Sequence, residues 1–227
     1  MICKSNSIKN NGAKATLLFS LFCFLVTFNI GAQDIHFGVK GGLNYSSIIG
    51  NLTEGLKFRF SGHGGIFLQM ELSDKFALQP EVLYSSQGFQ YSTDLAAIQN
   101  GTVIAGDNDF RTNVQLNYLT VPILGKFALG NEVTLDFGPQ FGFLLNQVTK
   151  IKNLDELEDS NTDERNLVSG DFQLDYGAAI GLGIKVNEQF SVSPRFYIGL
   201  RNRLNGLPDT MQNYNVAIQL SVNYTFP

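Results

Sequence analysis

The chain has no tryptophan, two histidines and two cysteines among its 227 residues. Both cysteines, Cys3 and Cys23, lie near the start, so the remainder excludes disulfides and thiol chemistry. With only His36 and His63, acid–base catalysis has little to work with. Basic charge is also short, 16 Lys and Arg against 20 Asp and Glu, which argues against a nucleic-acid partner. Beyond residue 30 no stretch reaches the roughly 18 consecutive apolar residues of a spanning helix. If this chain crosses a membrane, it crosses with strands.

The single long apolar run, Ala15 to Ile30, follows Lys4, Lys9 and Lys14 and is followed by Gly31-Ala32. That order reads as a secretory signal over 1–32, cut before Gln33, with one exported domain over 33–227. A transmembrane anchor is the alternative, but the run is shorter than the roughly 20 residues that spanning requires. Phe22 before Cys23 departs from the small residue a lipoprotein cleavage site wants. Loss of three lysines and no acid moves the formal charge from −4 to −7.

What is abundant is alternation. In Ile66 to Gly88, Ile66, Leu68, Met70 and Leu72 share one face and Phe67, Gln69 and Glu71 the other. After a polar turn at Ser73-Asp74-Lys75, Leu78, Pro80, Val82 and Tyr84 alternate with Gln79, Glu81, Leu83 and Ser85. This period of two marks a hairpin with one apolar and one polar face. The same pattern predicts strands over about 35–46, 114–129, 133–145, 174–185, 190–201 and 214–226. Tight turns are expected at 73–75, 130–131 and 187–189. The connections between them, including 92–113 and 151–170, are long, and Asn100-Gly101 and Gly106-Asp107-Asn108 carry turn chemistry. In the strand over 114–129 the apolar phase changes near Tyr118, from Val114, Leu116 and Tyr118 to Leu119, Val121, Ile123 and Phe127, which predicts a bulge.

Three patterns point to an all-β fold, an eight-stranded antiparallel up-and-down transmembrane β-barrel with short periplasmic turns and long extracellular loops. Long and short connections alternate. Every strand charge falls on the glycine-rich polar face. Aromatics mark the strand ends, with Phe76, Phe127, Phe190 and Phe226 beside the tight turns and Tyr45, Tyr84 and Tyr214 toward the long loops, as membrane-interface girdles require. A soluble lipocalin-type barrel is the alternative, yet it needs an apolar interior and a polar exterior. Pro80, Pro122, Pro139 and Pro194 fall inside strands, where a missing donor predicts local bulges or bound water.

The inward face collects Lys40, Arg59, His63, Glu71, Glu81, Lys126, Asp136, Asp175, Lys185, Arg195 and Arg201. In an eight-stranded barrel the interior is just wide enough for side chains to fill. These groups are expected to pair as a polar plug; a binding site or proton path is the competing reading. His63 shares its face with Ser61 and Arg59, which could seed a nucleophile–base pair. No acid with diagnostic spacing completes a catalytic set, and no enzyme activity or cofactor is expected. Asp159, Asn161 and Asp163 match the opening of a calcium loop, but Glu164 and Gly170 replace its glycine and its bidentate glutamate. Gly181-x-Gly183 lacks a third glycine and lies within a strand, so it does not read as a phosphate cradle.

The segments Gly38 to Asn44 (GVKGGLN), Leu78 to Tyr84 (LQPEVLY), Tyr118 to Leu124 (YLTVPIL), Gly138 to Gln140, Asp175 to Gly183 and Pro194 to Leu200 (PRFYIGL) resemble the PorT-like outer-membrane β-barrel proteins. The resemblance covers nearly all of the exported chain and rests on structural motifs. It implies a bacterial outer-membrane location and lipid as the surrounding partner. The family's namesake is tied to a protein secretion system, so the resemblance implies other envelope or secretion-system proteins as candidate partners. Three functions follow as expectations: a non-enzymatic barrel acting through surface loops or in envelope structure, a secretion accessory, and the soluble ligand-binding barrel.

Overall fold

The computed structural model describes residues 34–51, 53, 56–99, 102–153, 164–166, 174–203 and 212–227. The expected leader at 1–32 and the calcium-like stretch at 159–163 lie outside them. Nine strands follow in order: β1 (Ile35–Gly50), β2 (Leu56–Ser73), β3 (Phe76–Gln99), β4 (Thr102–Ala128), β5 (Val133–Asn153), β6 (Glu164–Asn166), β7 (Leu174–Lys185), β8 (Phe190–Gly199) and β9 (Asn213–Thr225). The sheet runs β4-β3-β2-β1-β9-β8-β7-β5, and β4 pairs with β5 to close it. All pairings are antiparallel, and β1 meets β9 from Gly38↔Thr225 to Gly50↔Asn213. Closure leaves no barrel edge with unpaired donors, which is the condition for crossing hydrocarbon with strands. The extra strand, β6, is a three-residue addition on β5 at Gln147 to Thr149, so the barrel itself has the expected eight.

Alternation decides which side chains meet lipid. Ile66 (45% exposed), Ile180 (53%), Ile218 (49%) and Leu220 (54%) stand outward while Glu81, Asp136, Gln140 and Arg195 are buried. Polar inside and apolar outside is the inverse of a soluble barrel. Glycine on the inner face makes room: a Cβ on Gly38 would lie 2.2 Å from the ring of Phe67, which turns inward and is 3% exposed.

The tight turns lie where alternation ends. Two residues join β2 to β3, and the connections 129–132 and 186–189 follow β4 and β7. At the last of these the Asn187 side chain accepts from the backbone N–H groups of Gln189 (2.9 Å) and Phe190 (2.8 Å), an Asx turn that reverses the chain.

Three details differ from the sequence expectation. First, the polar segment 92–113 is not an open loop: β3 and β4 stay paired from Ser92↔Arg111 to Gln99↔Thr102. Beyond the membrane both faces of a hairpin are wet, so backbone pairing continues without an apolar face. Gly106-Asp107-Asn108 then forms no turn but an irregularity in β4, which spends three residues between Asp94↔Asp109 and Ala96↔Ala105 where β3 spends one. Second, the register shift near Tyr118 exists, between Asn117↔Asn146 and Tyr118↔Leu144, but the extra residue is Leu145 on β5. Val114, Leu116 and Tyr118 are buried with Leu144 as an apolar cluster and do not share the exposed surface of Leu119, Ile123 and Phe127. Third, the strand prolines cause no bulge. The ladder lacks two residue pairs beside Pro80, Pro122, Pro139 and Pro194 on one neighbouring strand, yet the register is the same on both sides of each gap. A missing N–H removes a bond, and the flanking bonds hold the alignment.

Candidate functional site

The interior holds most of the charges that the inward face had collected. Glu81 is its centre, 1% exposed. Arg195 of β8 donates to it through both terminal nitrogens, Nη1 to Oε2 at 2.9 Å and Nη2 to Oε1 at 2.8 Å. Lys40 of β1 adds a bond from Nζ to Oε1 at 3.0 Å, and Gln79 of β3 another at 2.8 Å. A planar guanidinium matches a carboxylate in this forked geometry, which makes charge-assisted pairs strong and directional. Two cations flank one carboxylate here, and the group ties three strands across the lumen. Nearer the tight turns, Lys126 Nζ lies 3.1 Å from Asp136 Oδ2, and the Thr134 hydroxyl donates to Asp136 Oδ1 at 2.6 Å.

Above Glu81 the interior carries amides and hydroxyls, with Arg59 as a buried cation among them. His63 Nδ1 lies 2.7 Å from Asn44 Oδ1, and Nε2 lies 2.8 Å from Ser221 Oγ. The Asn44 amide nitrogen donates to Ser85 Oγ, Ser86 O and Gly62 O, so its oxygen is the acceptor. His63 therefore donates from Nδ1 and accepts from the Ser221 hydroxyl at Nε2. The order Ser221–His63–Asn44 is that of nucleophile, base and orienting group. Ser221 is 2% exposed and Asn44 is wholly buried. The alternative Ser61–His63 pair is not made; Ser61 donates to Ser86 O at 2.6 Å. Arg59 reaches Asn113, Ser86, Gln87 and Gln115.

At the long-loop end, Asp175 Oδ2 accepts from the Tyr197 hydroxyl (3.0 Å) and from Asn215 Nδ2 (2.7 Å), while Asp175 Oδ1 is buried without a partner. Asn215 also donates to the Tyr118 hydroxyl at 3.2 Å and accepts from Arg203 at 2.6 Å.

Three members of the expected lumen set lie elsewhere. Glu71 is exposed at the tight-turn end, 3.6 Å from His36, and Lys185 there bonds Glu188 at 3.0 Å. Both are within three residues of a turn, where a long side chain reaches water instead of the lumen. Arg201 lies past the end of β8 and donates to the Leu174 carbonyl at the mouth. Of the uncharged members, Gln79 and Asn44 share the polar faces read from the sequence, while Gln140, Gln219 and Ser221 were missed, although they alternate in phase with the charges.

The aromatic bands are present at both ends. Phe226 stacks on Phe37 at 5.5 Å and meets Tyr224 at 5.3 Å, which in turn lies 5.0 Å from Phe190. Toward the long loops Tyr45 stacks on Phe58 at 4.6 Å and leans on Phe60 at 4.5 Å. Tyr84 (48%) and Phe127 (43%) are exposed; Phe76 and Tyr214 are half-buried. Phe37, Phe58, Phe60 and Tyr224 extend the set that sequence had marked.

A family model described as outer membrane protein beta-barrel domain matches residues 31–205. No curated protein matches the sequence. Among solved structures the chain is similar to the Neisserial surface protein A, at 12% identity over 84% of this chain and 97% of that one, with a TM-score of 0.47. A major outer membrane protein from Thermus thermophilus aligns at 16% identity over 85% and 100%, TM-score 0.47. The outer membrane protease OmpT from Escherichia coli aligns at 11% over 86% and 96%, TM-score 0.41. With the closed eight-stranded barrel, its lipid-facing apolar wall and this family match, the chain belongs to the outer membrane protein beta-barrel domain family and resides in the bacterial outer membrane.

Proposed function

We propose that this barrel is non-enzymatic and closed, and that it acts through its long-loop end in surface interaction or envelope structure. The observation that carries the reading is the Lys40–Glu81–Arg195 group, whose side chains are 0–3% exposed and lock opposite walls together. A lumen filled in this way conducts no ions and admits no substrate, which leaves the two ends for function. At one end the connections are tight; at the other β3 and β4 run 24 and 27 residues, against the roughly 9–11 that a spanning strand requires. That excess places paired backbone outside the membrane on one side only.

Purified protein in planar bilayers is expected to show no stable conductance. Steady single-channel openings would refute the plug and make the lumen the working site. A serine-directed fluorophosphonate is expected to leave the folded protein unmodified, and labelling of Ser221 would overturn the non-enzymatic reading. The secretion-accessory reading rests on the PorT-like segments. Mild cross-linking in whole cells separates it from the first: recovery of secretion-machine components supports an accessory, and their absence supports an independent barrel.

A further inference from the structure

The mouth of the barrel at the long-loop end holds a solvent-open cleft lined by Tyr118, Leu174, Asp175, Arg201, Asn202, Arg203 and Asn215. We propose that it is a binding site for a tetrahedral oxyanion, a phosphate- or sulfate-bearing group.

The argument begins with charge. Two guanidinium groups line the cavity, and the ion pairs among the described residues join other groups, not Arg201 or Arg203. Arg201 donates from Nη1 to the Leu174 carbonyl, and Arg203 from Nη1 to Asn215 Oδ1 at 2.6 Å. Both acceptors are neutral. Each bond orients a planar fork without cancelling its charge, and such forks suit the paired oxygens of phosphate or sulfate.

The lining holds one carboxylate, Asp175, against two guanidinium groups, so its net formal charge stays positive. Asp175 Oδ2 is taken by Tyr197 and Asn215. Its Oδ1 is sealed from solvent and lies 3.2 Å from where a Cβ on Gly199 would stand. Asp175 instead holds Asn215, and Asn215 holds Arg203, so the acid serves to position a cation.

A third donor lies deeper. The Tyr118 hydroxyl accepts from Asn215 at 3.2 Å, which leaves its own proton for an incoming oxygen. Tyr118 is 3% exposed, so that donor is desolvated, and a bond to it is worth more than one at the surface. The segment carrying the arginines is also held in place. Leu200 N–H bonds Tyr176 O at 2.8 Å, Arg203 N–H bonds Asn213 O at 2.9 Å, and the Asn202 side chain accepts from Asn213 N–H at 2.9 Å. A site ordered before the ligand arrives loses less entropy on binding.

The test is titration of the full-length barrel in a neutral maltoside detergent with inorganic phosphate and, separately, sulfate, followed by calorimetry. Saturable binding with a dissociation constant of about a millimolar or tighter is expected. Arg203→Gln and Arg201→Gln should each weaken it about tenfold, and Tyr118→Phe should weaken it measurably, while Lys75→Gln at the opposite end should not. Heat-modifiability on gels confirms that each variant is still a folded barrel. Repeating the titration in nanodiscs of phosphatidylglycerol and of phosphatidylcholine identifies the source. Competition by the anionic lipid assigns the site to a headgroup, and equal binding in both assigns it to a soluble ligand. Absence of saturable binding by the wild type, or wild-type affinity in both arginine variants, would overturn the proposal.

Discussion

At the scale of single residues, the interior shows how few positions carry the plug. Glu81 accepts from Lys40, Gln79 and Arg195, so its removal leaves two cations facing each other in a desolvated lumen. Glu81→Ala is expected to destabilise the barrel by about 3–5 kcal/mol, read as a lower urea midpoint for loss of the heat-modifiable band. Replacing Lys40, Glu81 and Arg195 together by apolar residues should recover much of that loss, because no buried charge is then left alone. A midpoint unchanged by Glu81→Ala would remove the group from the stability account. Gly88 is a second sensitive position. Its φ is +134°, and a Cβ there would lie 2.0 Å from the Val114 carbonyl oxygen. Gly88→Ala should cost about 1–3 kcal/mol by the same measurement, since both backbone and neighbour would have to move.

Elements bring a different asymmetry. β7, β8 and β9 have 12, 10 and 13 residues, close to what the membrane needs, while β3 and β4 reach about twice that. The pairs beyond Ser92↔Arg111 have no barrel wall to complete. Replacing residues 94–109 by a two-residue turn should therefore leave folding and heat-modifiability intact; failure to fold would show that the hairpin supports the barrel. Protease added to intact cells should cut within 92–113 or 151–170 and spare the tight turns at 73–75 and 187–189. Cleavage at the tight turns in intact cells would invert the orientation. On the walls, the exposed alternating set faces hydrocarbon. Ile180 stands between Phe137 and Phe196 on neighbouring strands and is 53% exposed. Ile180→Arg is expected to cost about 2–4 kcal/mol in vesicle folding titrations. Gln69→Arg, on the inner face near the tight-turn end, serves as the comparison, and equal folding of both variants would contradict the facing assignment.

For the whole molecule, one closed antiparallel ring satisfies the strand backbones against one another and leaves an interior that only side chains occupy. The ring divides labour by depth. Charge pairs fill the middle and the tight-turn half, amides and hydroxyls lie above them with Arg59, and the arginine-lined cleft opens at the top. The seam between β1 and β9 is reinforced from inside, since His63 of β2 reaches Ser221 of β9 across β1. Such a bond over β1 resists shear of the first strand against the last, the closure that brings the chain ends of the barrel together.

The alternation of two was enough to read the strand number, the tight turns, the outward wall and most of the inward charges, because a pleated strand sends successive side chains to opposite faces whatever its neighbours are. Sequence could not tell which inward group meets which. Lys40, Glu81 and Arg195 are 41 and 114 residues apart along the chain, and their contact depends on the order and stagger of the closed sheet. The same limit hid the relay from Ser221 through His63 to Asn44, whose members lie on three strands. It also misplaced Glu71 and Lys185, since period-two reading gives a face but not a depth, and at a barrel rim the inner face meets water. The extension of β3 and β4 beyond the membrane went unread for a related reason: where both faces are wet, polarity no longer alternates and only backbone pairing marks the strand. Local steric rules thus set the facing of each residue, and only barrel closure decided its partners and its depth.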